Sequence, residues 1–165
     1  MQTLSRIITI ARRAAVAALL VAITAATAIA QAGHGAQNVD DNGVILKGYD
    51  AVAYQTQQAA VVGSTAFTAT HDGAIYRFAS AANRDAFKAD PARYAPAYGG
   101  YCAMGVAVGK KLDGDPAAFS VVNGRLFLNV NQDVRGMWSR DVEGNEAKAQ
   151  RNWTRVASAR GFDRM

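Results

Sequence analysis

In 165 residues there are one cysteine, two histidines and three prolines, and these shortages set the first limits. A single cysteine excludes an internal disulfide framework and any zinc site of three or four thiolates. No run of Lys and Arg with interleaved aromatics marks a nucleic-acid surface. No Ser-His-Asp order, nucleotide-binding glycine loop or acid pair stands out. Asp113 and Asp115 in KKLDGDP lack the further acids and closing glutamate of a calcium loop. Lys110-Lys111 reads as a solvated face. No internal repeat and no dividing linker is visible, and the length suits one domain.

What is present begins with a targeting segment. Arg6, Arg12 and Arg13 precede an apolar stretch from Ala14 to Ala30, with no acid before residue 31. Small residues follow at Ala28-Ile29-Ala30 or Ala30-Gln31-Ala32, so residues 1–30 read as a secretory signal peptide. The rival is a membrane anchor left uncleaved, for which the stretch is short. Arg12-Arg13 also raises twin-arginine export, but Ala-Ala-Val after the pair favours the ordinary route. The formal charge of +5 then loses its meaning. Removing residues 1–30 takes three of the 18 basic residues and none of the 13 acids, leaving +2. The expected location is periplasmic or secreted, an oxidising compartment.

Residues 31–43 are small and polar, a flexible leader; 44–157 form the domain and 158–165 a tail. Asp50 caps a helix over Ala51 to Tyr54. A hairpin follows, with Phe67 and Ala69 on one arm, Asp72-Gly73 at the turn and Ile75 to Phe78 on the other. Ser80 caps a helix over Ala81–Ala89 with Phe87 inward, and Asp90-Pro91 starts another. Tyr101 to Val108 reads as a short helix, and Asp115-Pro116 as one more cap. Asn123-Gly124 turns a second hairpin between Val121-Val122 and Leu126 and Leu128. Val130–Asp141 and Glu143–Ala157 have helical composition, with Val134, Met137, Trp138, Ala149 and Trp153 inward. The expected class is α+β: two β-hairpins, several short helices and a helical C-terminus.

GYDAVAY at 48–54, GAIYRFASAANRDAFKADPARYAPAYGGYCAMGVAVGKK at 73–111, DPAAFSVVNGRLFLN at 115–129 and NW at 152–153 together resemble the YHS domain family, in its exported bacterial single-domain branch. The resemblance implies a treble-clef-related fold and kinship with metal-binding modules. Their ligating cysteines would fall at Ala79 and Asn83 here, and neither can hold a soft ion, so the ancestral metal knuckle is lost. Some relatives carry selenocysteine at the GGYCA cysteine, which implies a redox or soft-metal role for that position.

Cys102 is therefore the functional candidate. In the first turn of a helix, its thiolate would be favoured by the dipole and free amides. Met104 and His71 would complete a Cys, Met, His set suited to Cu(I) or another soft ion. One cysteine from each of two chains could also pair as a two-coordinate site in a homodimer. The alternatives are a reactive redox thiol needing an external partner, or an interaction domain with Cys102 packed as a small hydrophobe. Taken by itself, His71 in Thr-His-Asp-Gly reads as a solvated turn residue. Cleavage after Ala32 would leave Gly33-His34, an amine and imidazole able to chelate Cu(II). The tyrosines and both tryptophans read as core. The first expectation is a non-enzymatic soft-metal binding module.

Overall fold

The computed structural model describes residues 36–163; the basic and apolar leader, the cleavage sites and His34 lie outside them. Among the described residues, no helix is long and apolar enough to cross a membrane. The class is α+β, as expected. In chain order it comprises α1 (Ala51–Thr56), β1 (Ser64–His71), β2 (Ala74–Phe78), α2 (Ala81–Ala89), α3 (Pro91–Tyr94), α4 (Ala103–Ala107), β3 (Asp115–Val122), β4 (Arg125–Asn129), α5 (Gln132–Arg140) and α6 (Val142–Ser158). Each hairpin is its own two-stranded antiparallel sheet.

The expectation of no internal repeat is overturned. The order of turn, short helix, hairpin and two capped helices occurs twice. Leu46-Lys47-Gly48 is a left-handed turn at φ +55°, +51° and +83°, and Tyr98-Gly99-Gly100 repeats it at +54°, +58° and +80°. Asp50 then caps α1, and Cys102, also second after the turn's last glycine, caps α4. Asp72-Gly73 and Asn123-Gly124 both turn with positive φ at each residue, the geometry of the type I′ hairpin. Even the strand irregularity is shared: β1–β2 slips between Ser64 and Thr68, β3–β4 between Asp115 and Phe119, both 51 positions on. Ser80 and Asn131 cap the next helix of each half, Asp90 and Asp141 the one after.

The sequence hides this because few residues coincide, among them Gly48 with Gly100, Tyr49 with Tyr101, Gly63 with Gly114, Gly73 with Gly124 and Asp90 with Asp141. Tyr101 belongs to the second core and Tyr49 packs against the first; the glycines and aspartates fix backbone. Gly114 is a case in point: a β-carbon there would collide with the carbonyl of Gly100. The non-glycine left-handed residues Leu46, Lys47 and Tyr98 each cost about 1–3 kcal/mol, which packing of the buried Leu46 and Tyr98 side chains offsets.

Two apolar cores result. The first gathers Ile45, Val52, Tyr54, Tyr76, Phe78 and Phe87; the second Tyr98, Tyr101, Val106, Phe127, Trp138 and Val156. β4 serves both, since Leu126 and Leu128 face the first and Phe127 the second, as alternation along a strand requires. On its outer edge the segment 96–102 runs parallel to it, bridging Pro96 to Leu126 and Cys102 to Leu128.

Three local expectations need correction. Asp115-Pro116 opens β3 rather than a helix; the Asp115 carboxylate accepts the Ala117 N–H at 2.9 Å as a turn within the strand. Met137 is half exposed, because Trp138 takes the inward position of α5. Lys111 is buried: its ammonium donates to the carbonyl of Ala159 at 2.8 Å, beyond the end of α6, and lies 5.0 Å from the Tyr101 ring centre.

Candidate functional site

The equivalence of Asp50 and Cys102 organises the chemistry. Asp50 is fully buried. One carboxylate oxygen accepts the N–H groups of Val52 (2.8 Å) and Ala53 (3.3 Å); the other accepts Ala79 N–H (2.8 Å) and the Asn83 side-chain amide (2.6 Å). Four donors compensate the buried charge. Ala79 and Asn83, the positions the family resemblance marks for metal cysteines, thus converge on a carboxylate.

Cys102 is held in the matching nest. It is fully buried, and its sulfur accepts the Gly105 N–H at 3.3 Å, as Asp50 accepts that of Ala53. Its own N–H donates to Leu112 O at 3.0 Å. The thiol lies 3.9 Å from Asn129 Oδ1, which also accepts the Met104 N–H at 3.3 Å. The expected depression of the thiol pKa is not found. Burial pushes it up, and the amides of Gly105, Val130 and Met104 recover only part of that. A five-residue helix carries a small dipole, while loss of water from around a charged sulfur is costly.

The other sequence candidates divide. Met104 is half-buried beside Cys102, sharing Asn129 with it. Met104 also lines an apolar groove of about 360 Å³ with Val108, Leu112, Val134 and Met137. His71 ends β1; its ring stands edge-on to Phe87 at 5.9 Å and its Nε2 is 3.5 Å from an Asp72 carboxylate oxygen. Its ring packs beside Tyr76 and Phe87, whereas Cys102 bonds to Leu112, Gly105 and Asn129. Among the described residues, no three His, Cys, Asp or Glu side chains converge as a metal cluster would.

Sequence reasoning missed a cavity of about 330 Å³ where the left-handed turns of the two halves meet, lined by Leu46 and Lys47 from one and Gly100 from the other. Val44, Leu46 and Leu128 give it an apolar floor, Phe162 a rim, and Lys47, Asp40 and Asp113 its charge. Lys47 Nζ is 2.8 Å from Asp113, whose other oxygen accepts the Asn38 amide at 2.7 Å. Burial pushes the Asp113 carboxyl up, but the bonds from Asn38, Lys47 and the Gly114 N–H outweigh it and hold it below its ordinary value. The one signal available was the punctuation of KGYD and GGYC, whose matching glycines mark the paired turns.

Comparison with protein-family models, curated proteins and solved structures returns no match.

Proposed function

We propose that this chain is an exported, non-enzymatic binding module of the YHS type, with its ligand site in the cavity between the two left-handed turns. The observation that carries this reading is the composition of that cavity. Two carboxylates against one lysine leave a net negative charge over an apolar floor, which suits a small organic cation with an apolar body. The quoted motifs, in family order, support the YHS assignment, and residues 1–30 support export.

Titration of isotopically labelled protein with benzylammonium, followed by amide NMR, tests it. Shifts confined to Asn38, Lys47, Gly114 and Phe162 are expected, weakened by Asp40→Asn and strengthened by Lys47→Gln. Equal shifts with benzoate, or shifts elsewhere, would overturn the reading.

A second reading keeps the soft metal ion. Met104 and Met137 line one apolar groove above the helix that Cys102 caps, and a thiolate with two thioethers suits Cu(I). His71 does not join this set. Because Cys102 is buried, uptake, and equally pairing of two chains through its sulfur, requires the first turn of α4 to open. Competition for Cu(I) against a chelator should then separate wild type from Cys102→Ser and Met104→Leu; equal affinities would dismiss it.

A further inference from the structure

We propose that residues 159–163 are a strap across the mouth of the cavity between the two left-handed turns, clasped by Lys111, and that ligand enters and leaves as the strap lifts. The proposal rests on the cavity reading above and gives that site its gate. Phe162, beyond the end of α6, lines the cavity, and every other lining residue falls between Asn38 and Leu128. More than half of the Phe162 side chain is exposed. Its ring meets that of Tyr101, with centres 5.8 Å apart. So little packing would not by itself fix a tail residue in place.

What holds it is one buried residue that grips both ends of the strap. The Lys111 ammonium donates to Ala159 O at 2.8 Å, where the last carbonyls of a helix lack partners within it. The Lys111 main chain takes the other end. Its N–H donates to an Asp163 carboxylate oxygen at 2.6 Å, and Asp163 N–H donates back to Lys111 O at 2.8 Å. Arg160, Gly161 and Phe162 are thereby drawn into a closed loop, which Gly161 turns at φ +74°, a conformation glycine adopts without strain. A buried ammonium is unfavourable without acceptors; here the strap's carbonyl supplies one, and the Tyr101 ring face lies 5.0 Å away. Lysine and strap therefore stabilise each other. Lys111 is also two residues from Asp113, whose carboxylate lines the cavity, so the clasp sits at the cavity's edge.

The two ends are unequal, and this decides where the strap opens. At Ala159 the partner is a buried charge, which would be left uncompensated if the bond broke. At Asp163 the partners are two hydrogen bonds to an exposed residue, within reach of water. Exposed backbone hydrogen bonds with few apolar contacts are the first to open locally. Release of Asp163 lets Phe162 swing away about Gly161 while Lys111 keeps hold of Ala159. The floor of Val44, Leu46 and Leu128 is then accessible to the apolar body of an amine. On closing, Phe162 covers that body and the Asp40 and Asp113 carboxylates face its charge. A gate of this kind slows entry and exit alike.

Wild type, Asp163→Ala and Phe162→Ala test this. Without ligand, the Lys111 amide should be protected from hydrogen exchange in wild type and exchange about tenfold faster in Asp163→Ala, with the amides inside α6 unchanged. With benzylammonium, rates read from NMR line shapes should show Asp163→Ala associating and dissociating about tenfold faster at similar affinity. Phe162→Ala should bind about tenfold more weakly, through faster dissociation. Equal exchange of the Lys111 amide in wild type and Asp163→Ala, or equal rates in all three proteins, would remove the strap and leave the cavity standing. Binding by none of the three would remove the cavity reading, and its gate with it.

Discussion

At the scale of single residues, two buried caps of different chemistry hold equivalent positions, and each makes a prediction. Asp50→Asn keeps one acceptor oxygen but turns an NH2 group toward the donors of Ala79 and Asn83. Donor facing donor should cost about 2–4 kcal/mol, read as a lower urea midpoint with unchanged slope. For Cys102 the expectation concerns pH. Its folded pKa is raised by burial, so the unfolded chain loses the proton first as pH rises. Stability should hold below the ordinary thiol value of 9.0 and fall above it. Tyr54 and Tyr76, both buried and raised in the same direction, steepen the fall above pH 10.0. Cys102→Ser should remove the earlier part of this alkaline loss in a pH series of denaturation curves, leaving the tyrosine part.

At the scale of elements, the local grammar of the sequence was the reliable part. Asp50, Ser80 and Asp90 as caps, Asp72-Gly73 and Asn123-Gly124 as turns, and Phe87 and Trp138 as inward residues are all found as read. Each depends on neighbours a few positions away. The failures share another cause. Lys111 is buried by an α6 end and a tail that lie far along the chain, and no local pattern announces that. Cys102 was legible as the residue of interest, but its burial, its neighbour Asn129 and its likeness to Asp50 depend on tertiary placement. The cavity was illegible for the same reason, since its walls come from five separated segments. The turns give the testable case: Gly124→Ala puts a β-carbon on a residue at φ +73° and should cost about 1 kcal/mol. Gly73→Ala, at +77°, should cost about the same. Thermal midpoints of the two variants check this equivalence between halves.

For the whole molecule, β4 decides how the halves cooperate. Leu126 and Leu128 belong to one core and Phe127 to the other, so neither core can be lost while β4 stays in place. Leu126→Ala removes a fully buried side chain from the first core and should cost about 2–5 kcal/mol. Trp138 reports on the second. Its fluorescence and the far-ultraviolet dichroism should shift to the same lower denaturant midpoint, as one two-state transition. Separate midpoints would mean that the halves unfold independently.

The shared strand slip in the two hairpins has a consequence for how the chain finds its fold. Neighbouring copies of one plan are prone to exchange partners during refolding, and β1 meets in β4 a strand with the same turn and register as its own mate β2. Their side chains differ, most sharply in Ala74 against Arg125, Arg77 against Leu128 and, at the far end, Phe78 against Asn129. In the crossed pairing, Asn129 would sit where Phe78 lies 5.1 Å from the Phe87 ring, a polar amide in an aromatic stack. The same asparagine that stands beside the lone thiol thus proofreads the pairing of strands, and replacing it with phenylalanine should make misassembled, aggregation-prone forms more abundant on rapid refolding.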